Sequence, residues 1–395
     1  MIEAIGTYLP PWGTDGPRLP GDDEDVVTMA VAAGLSALAA ARDVAIARVV
    51  LVSRDLPLLE GGNGAALLAG LSLPATAEVR EVLGGAPAAL EAAGGATPGT
   101  LVIGSDVKGG AGAGAVVVGD RGVALAVTGR VNRSLPVVTR DAAGRITDYA
   151  DPRLARELGL RSSLDVLDLA GKASAVAGVA ARDAAGLTEG IPPVLPTLGA
   201  SAALFALAAV AERGDGGHLY AVEQATVVAA DLASGAVAVV RDEASAQAPP
   251  KVRLSTEADI TISLAAYERA FDAKLRLEAT RCGTCGTLAY PQRYRCLGCG
   301  SEAAGEQVAL PRDAAIYSLA TIHVPVPGIA TPYTVVIAEL GASGVRLVGR
   351  LTGAHPGSVA IGDEGTMVLR RVAVRNGVPD YGYGFLPSRR REVAA

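Results

Sequence analysis

The stretch Cys282-Gly-Thr-Cys285, followed after ten residues by Cys296-Leu-Gly-Cys299, decides the architecture of the C-terminal part of this chain. The two pairs contain all four cysteines among the 395 residues. Four thiolates on two turns supply the ligands of a tetrahedral Zn²⁺ ion, and a glycine after each pair, Gly286 or Gly300, lets backbone N–H groups turn toward the sulfurs. The spacing predicts a structural zinc ribbon, whose thiols are then not available as catalytic nucleophiles.

Two alternatives to zinc stay open on the residues alone. Two disulfides would need an oxidising compartment, whereas the segment Met1–Gly6 lacks the basic and apolar regions of a secretory signal. We therefore expect a cytoplasmic protein and favour zinc over disulfides. Iron held by the same ligands is the second alternative, because spacing does not choose the metal.

Composition narrows the class of protein. Half of the residues are apolar, 4% are aromatic and the net charge is −6. No apolar run reaches the roughly eighteen residues that a membrane span needs, and an acidic chain with few aromatic residues does not favour a nucleic-acid-binding ribbon and barrel. We interpret the basic run Arg389–Arg391 as a solvated tail. We expect a soluble protein of two or three domains, with no nucleic-acid or membrane partner.

The first 241 residues alternate apolar strand-like runs with Ala-rich helical stretches, which is typical of an α/β layer structure. Four acids open the first long helix, at the positive end of its dipole. The predicted strands lie at 49–53, 100–104, 115–118 and 219–222, and the predicted helices at 22–41 and 201–212.

The remaining residues predict a series of small modules. A Pro/Ser/Ala-rich linker is followed by an amphipathic docking helix with Leu264, Tyr267 and Phe271 on its apolar face. After the ribbon, short strand patterns at 315–318, 333–337, 345–348 and 366–369 predict a small β-barrel of the OB-fold type. The predicted segments are the linker 242–262, the docking helix 263–281, the zinc ribbon 282–304 and the OB-fold 305–390.

This C-terminal part resembles a zinc-ribbon/OB-fold family associated with acyl-CoA enzymes. The resemblance lies in the four cysteines, in Tyr290–Arg293 between them, and in Ile316–Pro325 and Pro332–Leu340 of the barrel. It implies an accessory subunit that bridges thiolase-type enzymes and helps to hold acyl-CoA. The residues that we single out as candidate contacts for the coenzyme A thioester are His323, Arg293 and Arg295.

The first 241 residues resemble a trimmed thiolase superfamily member of the archaeal 3-hydroxy-3-methylglutaryl-CoA synthase type. The resemblance lies in Pro20–Asp25 with Thr28–Val31, in Leu101–Asp106, in Gly112–Ala115 and in Gly199–Ser201. It implies a thiolase-like fold and, from the dimeric habit of that superfamily, a homo-oligomer or hetero-oligomer. A catalytic thiolase or synthase is the implied partner.

Departures from that family are more informative than the matches. Such synthases use a Cys nucleophile, a His that orients a carbonyl and a Glu acid/base. The nucleophile's run corresponds to Arg80–Ala86 with Val82 or Leu83 in its place, and Arg54 replaces the Glu. No His occurs between Met1 and Gly217, and Glu223–Val228 replaces a glycine-rich family stretch. These losses predict a pseudo-enzyme.

The alternative is an active acyltransferase or C–C bond-forming synthase with a relocated catalytic set. Its weak candidates are Asp55, Glu81 and His218. Asp106 and Lys108 follow a strand and are interpreted as a polar loop, with contact to a ligand at the edge of the sheet as the alternative. The run Gly109–Gly114 lacks the Lys-Ser/Thr of a phosphate-binding loop and predicts close backbone packing instead.

Overall fold

The computed structural model describes residues 1–14, 16–41, 43–167, 173–188, 192–254 and 263–388, and it divides the chain into two compact units. The first unit contains Met1–Pro20, Met29–Leu56 and Thr76–Ala246, and the second contains Gly21–Thr28, Pro57–Ala75 and Gln247–Ala395. The tail Arg389–Arg391 and linker residues 255–262 lie outside the described residues. The second unit therefore takes two short segments from the N-terminal part of the sequence, while the five predicted segment boundaries stay predictions.

Twelve strands belong to the first unit. They are β1 (Ile2–Leu9), β2 (Arg48–Val52), β3 (Glu78–Val82), β4 (Thr100–Asp106), β5 (Gly112–Val118), β6 (Leu125–Asn132), β7 (Val138–Arg140), β8 (Ile146–Asp148), β9 (Ala175–Ala177), β10 (Gly217–Val222), β11 (Thr226–Leu232) and β12 (Ala238–Glu243). The helices before residue 246 are α1 (Val26–Ala40), α2 (Asn63–Gly70), α3 (Ala86–Gly94), α4 (Pro152–Leu154), α5 (Ser162–Leu167), α6 (Ala181–Ala184) and α7 (Ala200–Ala211), with a π-helical segment at Ala155–Arg161.

Two sheets form the body of the first unit, with α3 and α7 packed between them. One sheet has the strand order β12-β1-β5-β4-β2-β3, and the other has the order β6-β11-β10-β9. Residues from both helices and both sheets share one buried apolar cluster. Since α7 is buried on nearly all sides, its Ala-rich sequence is what a helix inside a protein requires. The predicted α/β layers are confirmed.

Glycines allow the close approach of α7 to its sheet. A Cβ built on Gly104 would lie 2.8 Å from the backbone of Ala200, and one on Gly114 would lie 2.7 Å from the Leu204 Cβ. Neither distance is possible for a real side chain, so these strand positions must be glycine for the helix to pack here. The structure confirms that the glycine run ending at Gly114 serves backbone packing.

The predicted strands and long helices all form, although several of their ends shift, and the docking helix predicted to reach residue 281 ends at Leu275 because residues 278–281 form a strand. Helix α1 begins at Val26 because the Asp25 carboxylate caps it, accepting hydrogen bonds from the N–H groups of Val27 and Thr28 at 3.0 Å. Of the four acids expected at this helix start, only Asp25 is the cap. Strand β12 continues to Glu243, two residues into the predicted linker, because it pairs in parallel with β1.

The second unit contains a ribbon sheet and a barrel. Its remaining elements are α8 (Leu264–Leu275), β13 (Glu278–Arg281), β14 (Leu288–Ala289), β15 (Glu306–Ala309), β16 (Asp313–Ile322), β17 (Tyr333–Leu340), β18 (Arg346–Arg350), β19 (Glu364–Arg375) and β20 (Val378–Pro387). The ribbon sheet has the order β14-β13-β15, and the barrel sheet has the order β18-β17-β16-β19-β20. Leu351, just after β18, pairs with Phe385 of β20, so the barrel closes.

Strand β20 was not among the predicted strands, because its sequence Tyr-Gly-Tyr-Gly lacks the usual apolar alternation. Tyr381 and Tyr383 are nevertheless buried in it. No described helix is long and apolar enough to cross a membrane.

Candidate functional site

Two turns of the same form carry the four cysteines. The Gly286 N–H donates to the Cys282 carbonyl, and the Gly300 N–H donates to the Cys296 carbonyl, each at 2.9 Å. Both glycines have positive φ, 75° and 73°. Side chains disfavour that conformation, so each turn requires its glycine. The local sequence thus builds both turns without help from the rest of the chain.

The sulfur geometry fits a tetrahedral zinc ion. The Sγ atoms of Cys282 and Cys299 lie 3.8 Å apart, those of Cys285 and Cys296 lie 3.5 Å apart, and all four lie within 4.8 Å of one another. Zn–S bonds of about 2.3 Å place the sulfurs of a tetrahedron about 3.8 Å apart. None of the cysteines forms a disulfide. The four side chains are therefore positioned to bind one metal ion and leave no open position for a substrate.

Neighbouring donors favour the thiolate form, which a metal needs, at Cys282 and Cys285, whereas the other cysteines raise the pKa of Cys299 to about 12. The Thr287 hydroxyl lies 3.1 Å from the Cys285 Sγ, and the Thr287 hydroxyl and backbone N–H lower the pKa of Cys285 to about 6. Backbone N–H groups likewise lower the pKa of Cys282. The Gly298 N–H donates to the Cys296 Sγ at 3.3 Å. These hydrogen bonds stabilise negative charge on sulfur.

The candidate coenzyme A contacts do not form one cluster. Arg295 is paired with Glu302 at 2.5 Å, whereas Arg293 is exposed in the loop between the cysteine pairs. His323 is exposed just after the end of β16. Within the described part of the chain, no hydrogen bond or ion pair joins the three side chains. Their role in coenzyme A binding stays a prediction.

The predicted docking helix α8 is exposed along most of its length. Leu264 is 68% exposed at its start, while Leu275 is buried at its end. An open groove of about 290 Å³ lies between α8 and the start of β20, and Tyr267 and Phe271 line it. The Lys274 ammonium pairs with the Asp380 carboxylate at 2.5 Å along the same groove. The helix is attached to its own unit mainly through its C-terminal turn.

Arg54, Gly85 and Glu223 lie in three segments that the resemblance aligned with family motifs, and their atoms are in contact. Arg54 forms an ion pair with Glu223, and the Gly85 N–H donates to the Glu223 carboxylate. A Cβ built on Gly85 would lie 2.9 Å from Glu223 Oε2 and 3.2 Å from Arg54 Nη2. The segments around these residues were each aligned with a catalytic region, and the fold brings all three together.

Glu223 occupies a place where a helix favours an anion. Gly85 immediately precedes α3, whose N-terminus carries the positive end of the helix dipole. Burial raises the pKa of Glu223, while the Arg54 charge acts in the opposite direction. Leu83, which with Val82 is one of the two residues that the resemblance places at the nucleophile position, is 69% exposed. The chain's own carboxylate therefore fills the anion position at the start of α3.

Sequence reasoning named Arg54 and the stretch from Glu223 but did not pair them. The sequence held a signal for this pair. Relative to the family that the chain resembles, Arg54 replaces a Glu, and the stretch from residue 223 has gained a Glu. Two opposite changes of charge at aligned catalytic positions indicate an ion pair, provided that the fold makes the positions neighbours.

The relocated catalytic candidates are not brought together. Asp55 accepts hydrogen bonds from the N–H groups of Val107 and Lys108 at 3.0 Å, which fixes that loop. The His218 Nδ1 lies 2.5 Å from the Asp231 Oδ1 at the start of β10. That position is five residues, or about 16 Å, along the strand from Glu223.

The third candidate, Glu81, is exposed on the edge strand β3. None of the three side chains makes a hydrogen bond to another in the described part of the chain. Their proposed catalytic use gains no support from this geometry.

Asp106 has a structural position rather than the expected place in a polar loop. It is 4% exposed and accepts hydrogen bonds from the N–H groups of Ala200 and Ser201 at 2.8 and 2.7 Å. Burial raises its pKa to about 6. Because Gly199 has no side chain to cap α7, the Asp106 carboxylate does so from β4. Lys108, by contrast, is exposed next to Asp55.

Two family models match the C-terminal part of this chain. The ChsH2 rubredoxin-like zinc ribbon domain matches residues 272–303, and the ChsH2 C-terminal OB-fold domain matches residues 307–370. They confirm the predicted order of a zinc ribbon followed by an OB-fold, after the α/β part that the first unit contains.

Curated relatives are similar to about a third of the chain. A DUF35 domain-containing scaffold protein of Methanothermobacter thermautotrophicus is 31% identical over 123 residues, which are 30% of this chain and 92% of that protein. The benzoylsuccinyl-CoA thiolase subunit BbsA of Thauera aromatica is 34% identical over 110 residues, 28% of this chain and 74% of that subunit.

Solved structures are also similar to part of the chain. PksG, an HMG-CoA synthase from Bacillus subtilis, is 15% identical, with a TM-score of 0.46 over 59% of this chain and 79% of that one. A likeness of this size carries no argument about chemistry.

Proposed function

This chain belongs to the DUF35 domain family, and on that premise we propose that it is an accessory subunit of a thiolase-type complex that processes acyl-CoA. One relative is named a scaffold protein, and another is named a thiolase subunit. In the proposed role, the chain holds a catalytic thiolase or synthase and does not itself perform acyl transfer. The partner supplies the cysteine nucleophile that this chain lacks outside its ribbon.

The observation that carries the proposal is the Arg54–Glu223 ion pair at the start of α3. Covalent acyl transfer needs a nucleophile there and a free region of positive potential to stabilise the negative charge that develops. Leu83 supplies no nucleophile, and the Glu223 carboxylate fills the anion position. A nucleophile restored alone would still face a filled anion position, and an emptied anion position would still lack a nucleophile. The two features together support a non-catalytic role.

The ribbon and barrel are proposed to supply the contact with acyl-CoA. The four cysteines would hold a structural Zn²⁺, which fixes the loop from residue 286 to 295 and its exposed Arg293. A guanidinium is suited to the phosphates of coenzyme A. His323, in the second stretch that carries the resemblance, is the proposed contact on the barrel.

Co-purification from the native host tests the proposal. We expect a cysteine-containing thiolase or synthase to be retained with the tagged chain, and thioester turnover to require the mixture. The isolated chain should show no turnover above buffer. Turnover by the isolated chain, or a covalent acyl adduct on a residue of the first unit, would instead establish the active synthase that the sequence left as the alternative.

A further inference from the structure

Arg370 of β19 is an unusual core residue of the barrel. Only 2% of it is exposed, and a guanidinium cannot lose its proton at any ordinary pH. A buried charge of this kind is tolerated only where opposite charge and hydrogen bonds surround it. The partners of Arg370 therefore indicate which kind of group this part of the barrel binds.

The partners of Arg370 come from the other end of the sequence. Its Nη2 lies 3.3 Å from Glu24 Oε1, and its Nε lies 3.9 Å from Asp23 Oδ2. Both carboxylates are buried, at 3% and 6% exposure. The Arg370 Nε also donates to the Thr352 hydroxyl at 2.8 Å, which fixes the plane of the guanidinium.

Separate groups hold the backbone and the two outer acids of the same run. The Arg371 N–H donates to the Asp23 carbonyl at 2.8 Å. Arg350 pairs with Asp22 at 2.7 Å, and the Tyr381 hydroxyl donates to Asp25 Oδ2 at 2.9 Å. Four consecutive acids are thus bound by side chains from three strands of one barrel.

We infer that the barrel carries a recognition site for an acidic peptide segment, and that Gly21–Thr28 of the same chain is its ligand. The residues joined by these hydrogen bonds are 328 to 356 positions apart, so the linker does not bring them together. A second segment adds to the contact, since Arg312 donates to the Gly70 carbonyl at 2.7 Å. This inference holds whether or not the first unit is catalytic.

The site has a consequence for binding. While residues 21–28 occupy it, the Arg370 pocket is closed to an acidic segment of any other protein. A partner must then dock elsewhere on the second unit, or displace the segment. The contact would also hold residues 21–28 on the barrel after a cut within 255–262.

The test is cleavage of the full-length folded chain. A site-specific protease sequence inserted within 255–262 cuts the chain, and native mass spectrometry of a dilution series measures the affinity between the two fragments. The wild-type fragments should stay together at micromolar concentration. The variant Glu24→Gln removes the carboxylate nearest to Arg370, which lies 3.3 Å from its Nη2, and the affinity should fall by at least about 100-fold.

A matched control is Glu339→Gln, which removes one exposed carboxylate from the same barrel, and it should change the affinity less than about 3-fold. If the charge variant does not fold before cleavage, Asp23→Leu with Glu24→Met and Arg370→Met removes all three charges together, and its fragments should stay together. Wild-type fragments that separate, a charge variant that binds as wild type does, or an apolar triple variant that falls apart would each overturn the inference.

Discussion

The zinc ribbon and the Arg370 site hold charge in opposite ways. In the ribbon, the four thiolates lie within 17 positions of one another along the chain, Cys285 and Cys299 are exposed, and the positive charge must come from solution. In the barrel, carboxylates more than 300 positions away are buried against a guanidinium that the chain itself supplies. The comparison teaches that local spacing is enough to specify an ion site, whereas a long-range ion site depends on the complete fold.

The largest expected effect breaks the local site. Cys282→Ser removes one of four ligands, and because structural zinc contributes about 10–16 kcal/mol to small ribbons, we expect the metal to be lost and the ribbon to unfold. Elemental analysis should return one metal ion per wild-type chain and none per variant. Leu297→Ala, at an exposed position between two ligands, should retain the metal. A Cys282→Ser protein that kept both metal and ribbon structure would refute the site.

The next effect concerns the long-range site and pH. Burial raises the pKa of Asp23 from 3.8 to about 6, so the folded state binds its proton more tightly than the unfolded state does. The stability from this group is fully present below pH 3.8 and is lost as the pH rises through 6. Between pH 3.8 and 6 we expect the free energy of unfolding of the wild-type protein to fall by about 3 kcal/mol through this group. The Asp23→Asn protein should not show this fall.

Urea unfolding of both proteins from pH 3.5 to 7 measures the difference in slope. The comparison between the two proteins cancels the contribution of Asp106, whose pKa burial also raises to about 6. Parallel curves for wild type and Asp23→Asn would show that Asp23 is not the titrating group.

Two glycines sharpen the comparison further. Gly104→Ala should cost about 1–3 kcal/mol, because its Cβ would overlap the backbone of Ala200. Gly286→Ala should lower the free energy of unfolding by about 1–2 kcal/mol. The space around Gly286 is open, so the strain comes only from its positive φ. Gly186→Ala, with open space and ordinary φ, is the control. Denaturant midpoints rank the three variants, and a Gly104→Ala protein as stable as the control would contradict the close packing of α7.

The smallest effect is expected at the proposed coenzyme A contacts. Arg293→Gln should leave stability within about 0.5 kcal/mol of wild type, because the side chain is exposed. Its affinity for coenzyme A, measured by calorimetry, should fall several-fold as a phosphate contact is removed. Arg269→Gln, on the exposed side of α8, is a charge-matched control. Equal affinities for all three proteins would remove Arg293 from the proposed binding surface.

Much of the fold followed from local patterns. The strands β2, β4, β5 and β10 are continuous apolar runs, and α7 is a helix of small apolar residues, so their types were plain from sequence. Strand β20 escaped because its alternate residues are glycines. The acid run before α1 was interpreted as four charges at the helix start, although all four bind the barrel and only Asp25 also caps the helix.

The candidate site was predictable only in part. The losses at Arg54 and at Val82 or Leu83 were predicted by resemblance and stay predictions, since each rests on an alignment with a family motif. That Glu223 pairs with Arg54 required knowing that the end of β10 lies beside the start of α3. Asp106 was similarly ambiguous, because whether a carboxylate after a strand meets solvent or caps a helix depends on which helix packs there.

The sequence by itself determined the ribbon and the order of α/β part and barrel, since each depends on residues close together in the chain. Only the tertiary structure decided that Glu223 fills the α3 N-terminus and that Asp23 and Glu24 neutralise Arg370. The physical reason is range: a turn closes through hydrogen bonds between near neighbours, whereas a buried ion pair forms only after folding has excluded water around both charges.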